Sequence, residues 1–522
     1  MTGWPLKRIV IAGGGTAGWM AAAAFAKTLG RFADIVLVES NAIGTIGVGE
    51  STIPPIRTFN NVLGIDEAEF MRTTQATFKL GIEFENWARD GDRYFHSFGI
   101  TGKDHWSAGF QHFWLNGRER GHDRPYDDYC LELMSAYAGK FAHLPDNALN
   151  YAYQLDSTLY ARFLRNMAER DGAVRQEGKI ASVETDPQGR KIVSLMLESG
   201  QRIEGDLFLD CTGFRALLIG GALGAEFEDW THWLPCDRAI AIQTESVGPP
   251  MPYTRAIAHD AGWRWRIPLQ HRTGNGIVYC SKYLDDEAAL ERLLGAIEGE
   301  TRTKPNFLRF TAGVRPRQWV GNCVAVGLSG GFMEPLESTS IHLIQRAVLR
   351  LLRMLPLAEV SQRDIDEFND QSIQDMLQIR DFIILHYKAT ERRDSAFWRQ
   401  VGEMDVPDSL TQKIELFRET GRVFRRNEEL FQENSWVQVM MGQRIMPRAH
   451  HPIAAKLTDD EMSRFLSVIR DGIARTVASL PAHGDYVARY CGQPTSVAES
   501  RSSAGARTGG RQMHWPAAAA GR

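Results

Sequence analysis

Apolar and polar positions follow two periods along this chain, and the change from one to the other marks its elements. The first signal is an uncharged run, Ile9-Val10-Ile11-Ala12, the composition of a parallel strand covered on both faces. Gly13, Gly15 and Gly18 follow, and residues 20–27 continue as strong helix formers. A second apolar strand over residues 34–38 ends in Glu39. Residues 66–89, with Phe70, Phe78 and Trp87 among many charges, are predicted as helix. Residues 93–125 are rich in aromatics and His, and read as irregular structure lining something or as ordinary core. An amphipathic helix is predicted over 157–171, with Ser157 as its cap. Strands at 179–184, 191–197 and 201–204, separated by Asp186-Pro187-Gln188-Gly189 and Ser199-Gly200, form a β-meander. A buried strand returns at 206–210 and another at 323–327. Between them, residues 262–268 alternate Trp and Arg, so a strand there, read as an amphipathic edge strand, puts both Trp on one face and both Arg on the other. Helices are predicted at 284–298 and 341–354, and beyond residue 363 the pattern is helical and polar. Thr458 and Glu461 form a capping box ahead of an apolar face of Met462, Phe465, Leu466, Ile469, Ile473 and Val477. Residues 500–522 carry no pattern and are expected to be disordered. The order predicts an α/β protein: a doubly wound sheet with an antiparallel insert, then a mainly helical region.

Composition changes this picture little. At 522 residues, more than one ordinary domain is expected, and 43% hydrophobic with 24% charged residues suits a globular protein. A net charge of −4 gives no electrostatic case for nucleic acid or an anionic membrane. Cys130, Cys211, Cys236, Cys280, Cys323 and Cys491 lie far apart with no C-x-x-C pair, as in a cytoplasmic protein without a disulfide frame or metal site. The first strand begins too early to leave room for a signal peptide, and no apolar run reaches membrane-spanning length.

The candidate chemistry begins at Gly13-x-Gly15-x-x-Gly18. The first glycine permits a tight turn, the second lets backbone approach a pyrophosphate, and the third packs helix on strand. The helix N-terminus at Thr16 and Ala17 offers free N–H groups to phosphate. Glu39, about twenty residues beyond Gly18, stands where a carboxylate meets a ribose hydroxyl. This is a dinucleotide-binding pattern that does not separate FAD from NAD. The loop from Gly44 to Pro55, with Gly49, Glu50 and Ser51, is small and apolar enough to lie against a flat ligand. Lys79 stands between Phe78 and Leu80, which by itself reads as an apolar stem with its ammonium in water. Ser329-Gly330-Gly331 and Ser338-Thr339-Ser340 gather N–H donors ahead of a helix, near a place for a cofactor or small anion.

Taken in order, the glycine motif, Gly47-Val48-Gly49-Glu50-Ser51-Thr52, Lys79, Trp263-Arg264-Trp265-Arg266-Ile267-Pro268 and Glu334-Pro335-Leu336-Glu337-Ser338-Thr339 resemble the flavin-dependent tryptophan-halogenase family over residues 6 to 495. The resemblance implies an FAD-binding Rossmann-like module of the aromatic-monooxygenase type over 1–385, including an aromatic substrate-lining segment at about 93–150, and a helical substrate-binding region over 386–499. It implies FAD, used as FADH2 from a separate NAD(P)H-dependent flavin reductase, with O2 and chloride or bromide as co-substrates; a homodimer is among the assemblies it allows. Hypohalous acid would travel through a tunnel to Lys79, and Glu337 would orient it and take the ring proton. Further FAD contacts are implied for Ile180, Leu328, Ser338 and Ile341, and halide contacts for Thr339 and Ser340. Many members have Gly where Ser340 stands. Trp263 and Trp265 would shield flavin from organic substrate. His112, Phe113, Trp436 and Met440 are the expected substrate contacts.

Members acting on free tryptophan carry a tyrosine pair and a following glutamate in the helical region, where this chain has Asn434-Ser435-Trp436-Val437-Gln438-Val439-Met440-Met441-Gly442-Gln443-Arg444-Ile445-Met446-Pro447. Without a partner for an ammonium, the site should reject a zwitterion. The expected substrate is an indole, a related aromatic, or tryptophan within a larger molecule. Competing readings are an FAD aromatic hydroxylase, against which Trp-x-Trp-x-Ile-Pro and Lys79 argue, and a flavin-binding sensor without turnover.

Overall fold

The computed structural model describes residues 6–43, 49–355 and 360–492; residues 44–48 of the apolar loop and the tail expected to be disordered lie outside the described residues. The strand Arg8–Ala12, buried from Ile9 onward, is an inner strand of a six-stranded sheet, pairing in parallel with Asp34–Glu39 on one side and Leu207–Asp210 on the other. Val174–Glu177 and Cys323–Ala325 extend it in parallel, and Trp319–Val320 closes one edge antiparallel. The helix Thr16–Leu29 lies against the face carrying Ile9 and Ile11 and packs on Ser157–Arg170. Chain order reverses at the first strand, so its carboxyl end is the switch point where such sheets hold nucleotides. The meander is present as Ile180–Thr185, Ile192–Leu197 and Arg202–Glu204.

A second sheet has seven strands in the order Asn306–Arg309, Arg238–Thr244, Thr273–Tyr279, Gly262–Pro268, Thr254–His259, Gly81–Glu85 and Arg93–Ser97. The Trp/Arg strand is therefore central, not an edge: both its neighbours pair with it over its length. Its alternation holds, with Trp263 and Trp265 buried and Arg264 and Arg266 half-buried on the other face. Gly276 opposite makes room, since a Cβ there would lie 2.0 Å from the Trp265 ring.

Three further expectations are corrected. The helix predicted over 66–89 is only Glu67–Thr74; Gln75 turns left-handed at φ 53°, and strands Thr77–Lys79 and Gly81–Glu85 follow. Phe78 is spaced for either period, but a fully buried run between two sheets is held by strand pairing. The segment 93–125 contains the strand Arg93–Ser97 and the helix Phe110–Glu119. Asp156, not Ser157, caps the next helix, its carboxylate accepting from the N–H groups of Thr158 and Leu159. Residue 385 lies in the helix Gln362–Lys388, whose Phe382 and Leu385 share one core with Trp263 of the sheet and Met440 of the helix Glu433–Gly442. Sheet and helices thus bury one another's apolar faces. The capping box of the helix Asp459–Ser479 is present as read. Among the described residues no helix is long and apolar enough to cross a membrane.

Asp210, fully buried at the end of its strand, ties this sheet to the turn beside the switch point. Its carboxylate accepts from Thr212 N–H and O–H and from the N–H groups of Leu218 and Ile219, while its carbonyl accepts from the Ser329 hydroxyl. Asp210→Ala leaves these donors buried and unpaired, and is expected to cost on the order of 3 kcal/mol, a fall of about 3 °C in melting temperature by calorimetry for a chain of this length. An unchanged melting temperature would show that these donors find other partners.

Candidate active site

Lys79 stands where the three-stranded sheet of Gly49–Ser51, Ala152–Asp156 and Thr77–Lys79 passes the chain to the seven-stranded one. The side chain is fully buried, so its ammonium does not reach water. Nζ donates to the Thr52 carbonyl at 3.1 Å and to Ser338 Oγ at 2.9 Å, and lies 5.1 Å from the centre of the Phe98 ring. Burial pushes its pKa down to about 7, against the opposing pull of the Glu337 charge.

Glu337 closes the short turn Pro335–Glu337, and Ser338 leaves it in a left-handed conformation at φ 59°. The carboxylate is fully buried between two imidazoles. His96 Nδ1 lies 2.8 Å from Oε2, and His386 Nε2 lies 2.8 Å from Oε1 in a bent contact. Burial alone would raise its pKa; the two imidazoles outweigh burial and hold it at about 2. Three residues earlier, Glu334 is also fully buried, accepts from Trp263 Nε1 at 2.8 Å and Tyr387 O–H at 2.5 Å, and is pushed up to about 7 by burial. One turn thus carries an ionised carboxylate and one poised near neutrality, because only Glu337 has imidazole partners.

The glycine motif fits a dinucleotide. Gly13 has φ 108°, and a Cβ there would meet the Cys211 carbonyl at 2.3 Å; one at Gly18 would meet the Gly13 carbonyl at 1.8 Å. Gly15 alone faces open space, and the helix beginning at Thr16 and Ala17 has no side-chain cap, leaving its first N–H groups to a phosphate. Gly327 comes so near that its Cβ would stand 3.0 Å from that of Ala17. Glu39 ends the second strand and accepts from Arg175 Nε at 2.5 Å. Ser51 shares a 2.9 Å hydrogen bond with Thr254; Gly49 and Glu50 lie in the same short strand, and their side chains are outside the described set. Leu328, Thr339 and Ser340 line one cavity of about 50 Å³, with Gly327 and Gly331. Ile341 is buried at the start of the helix Ser340–Arg353. Ile180 packs apart from these, with Val10 and Val38 on the opposite face of the first sheet from the helix. Trp263 and Trp265 stand with ring centres 6.1 Å apart.

The expected substrate residues divide. Trp436 and Met440 are buried on the helix Glu433–Gly442, and Trp436 meets Phe382 edge-on at 4.8 Å, with the His96 ring 5.3 Å beyond. His112 and Phe113 lie elsewhere: His112 accepts from the His451 N–H and Phe113 packs edge-on to Phe465. In their place, His96 and Phe98 lie beside Glu337 and Lys79. Sequence reading missed them and His386, although a period of two would have set Tyr94, His96 and Phe98 on one face. Asn434 and Gln438 hold the backbone of Ser97, Gly99 and Thr101, and Gln443 holds Tyr94 and the His386 carbonyl. The flanking carboxylates are engaged as well, Glu429 with Lys413 and Glu433 with the Arg425 N–H.

The sequence matches the family model described as tryptophan halogenase over residues 8–459. It is 34% identical to the 7-chloro-L-tryptophan 6-halogenase KtzR of Kutzneria sp., covering 93% of this chain and 99% of that one. Among solved structures, Xcc4156, a flavin-dependent halogenase from Xanthomonas campestris, is 58% identical with a TM-score of 0.92. BrvH, a flavin-dependent halogenase from Brevundimonas sp. BAL3, is 43% identical with a TM-score of 0.89. Each covers 93% of this chain and 99% of its own.

A lysine whose folded pKa is depressed costs stability in full below that pKa, and the cost fades as pH rises toward the unfolded value of 10.5. Lys79→Met is therefore expected to stabilise the fold by a margin largest at and below pH 7 and narrower by pH 9. Paired denaturant titrations at pH 6 and pH 9 measure it; a margin that widens with pH would contradict the buried ammonium.

Proposed function

The chain belongs to the tryptophan halogenase family and is a flavin-dependent halogenase; from that premise we propose that its substrate is an indole or related electron-rich aromatic without a free amino-acid group, halogenated at Lys79 and Glu337. The carrying observation is that Ser338 bonds to the Lys79 ammonium while the neighbouring Glu337 is held ionised, which sets a proton donor and a proton acceptor on either side of one turn. Gly13, Gly15, Gly18, Thr16, Ala17, Glu39 and Leu328 would hold FAD, with Thr339 and Ser340 facing halide. O2 would be the oxidant, its four electrons coming two from halide, which becomes hypohalous acid, and two from reduced FAD delivered by a separate reductase.

The chain's own groups do the rest. With a pKa near 7, Lys79 can donate a hydrogen bond that polarises hypohalous acid, or accept the halogen as a free amine. Attack by the ring gives a cation whose C–H is strongly acidic, so even a weakly basic carboxylate removes that proton. Holding Glu337 ionised also places a negative charge beside the developing cation. Trp263, fixed by Glu334, would keep organic substrate from the flavin. The proposal extends to a cytoplasmic enzyme, as monomer or homodimer, with neither nucleic-acid nor membrane partner, and with bromide serving at least as well as chloride.

Lys79→Ala is expected to bind FAD, seen by its absorbance, and to halogenate nothing; Glu337→Gln should slow turnover by about a hundredfold or more. Mass spectrometry of an indole panel with a flavin reductase and bromide reads both, and normal turnover by either variant refutes that residue's role.

The substrate claim rests on the helix Glu433–Gly442, where Asn434, Gln438 and Gln443 are all engaged with protein and no carboxylate is free. An unpaired buried ammonium costs at least about 2 kcal/mol, roughly thirtyfold in binding. In competition at equal concentration, indole should be consumed before free tryptophan. Tryptophan consumed first would place an amino-acid handle elsewhere in the chain.

A further inference from the structure

Behind Glu337 lies a chain of buried polar groups whose hydrogen-bond directions can be read from one end. Gln443 Nε2 approaches the His386 carbonyl at 2.8 Å and the Tyr94 hydroxyl at 3.2 Å. A carbonyl only accepts, so this end of the amide is the NH2, and it donates to the Tyr94 oxygen as well. The Tyr94 oxygen lies 2.6 Å from His386 Nδ1. With its oxygen already receiving a hydrogen from Gln443, the phenol has its own O–H to direct at that nitrogen. Burial raises the Tyr94 pKa well above its ordinary range, so the hydroxyl keeps its proton.

We propose that Gln443 and Tyr94 are positioning residues that fix His386 as the tautomer protonated at Nε2, turning an N–H rather than a lone pair toward Glu337. This rests on the role proposed for Glu337. The physical need is plain: His386 Nε2 is 2.8 Å from Oε1, and both groups are fully buried. A lone pair at that distance would repel the carboxylate and favour its protonated form, which cannot take a ring proton. Burial pushes the His386 pKa down, so the imidazole is neutral and one nitrogen must lack a proton. The ionisable groups facing His386 are Glu337, Tyr94 and His96, the last itself turned to Oε2 of Glu337. Its other neighbours are rings that leave the proton no alternative partner: Phe84 stacks at 4.5 Å, and Phe382 and Trp87 pack edge-on. Gln443 thus acts through Tyr94 and His386.

Neutron diffraction from deuterium-exchanged crystals of the wild-type enzyme locates the deuteron without any substitution. The expected result is a deuteron on His386 Nε2 and the Tyr94 deuteron directed at Nδ1; a deuteron on Nδ1 alone overturns the proposal. This reading does not depend on catalysis, so it separates from failure of the Glu337 assignment, which Glu337→Gln tests. The second arm repeats the measurement on Glu337→Gln, checked for FAD binding, which removes the carboxylate's own hold on the Nε2 proton. With Tyr94 still donating to Nδ1, the deuteron should remain on Nε2. A deuteron moved to Nδ1 would show that the carboxylate, not Gln443 and Tyr94, sets the tautomer, and would overturn the proposal.

Discussion

The site depends on keeping two opposite charges, Lys79 and Glu337, in a region from which water is excluded. Neither can be ionised there without partners, because desolvation of a charge in a protein interior outweighs ordinary packing gains. The two solutions differ. Glu337 receives two imidazoles and stays ionised at every working pH. Lys79 receives a carbonyl and a hydroxyl, neither of them charged, and is left with a pKa near 7. That asymmetry lets the lysine change protonation near neutrality while the carboxylate remains a fixed negative charge.

The requirement for partners shapes elements far from the turn. His96 comes from the edge strand of the seven-stranded sheet and His386 from the end of a 27-residue helix. The sheet and helices therefore meet around one carboxylate and share one core. The helix Glu433–Gly442 braces the same edge strand, with Asn434 and Gln438 bonded along residues 97–101. Asn434 and Gln438 thus hold protein backbone beside the site rather than standing free. Glu334 shows the same economy of partners: it has the Trp263 N–H and the Tyr387 hydroxyl but no cation, and sits near neutrality.

Local chemistry made much of this legible in the sequence. The first strand, the glycine turn, the first helix and Glu39 are all specified within a short stretch, since strand burial, turn geometry and helix start are set by neighbouring residues. The β-meander, the Trp/Arg alternation and the Thr458 capping box were readable for the same reason. The family resemblance singled out Lys79, Glu337 and the Trp pair by their motifs.

Only the tertiary structure decided what depends on residues distant in the chain. Phe78 and Lys79 are compatible with helix or strand by spacing alone, and pairing with Ala152–Asp156 settles them as strand. His112 and Phe113 sit in the aromatic segment that was expected to line a site, yet the strand Arg93–Ser97 turns His96 toward Glu337 and leads to Phe98 beside Lys79. His386 carries no local signal, because its importance comes from a carboxylate 49 positions earlier in the chain. Sequence determined which groups could do chemistry; packing decided which of them lost water together, and it is that shared loss of water that sets their charges.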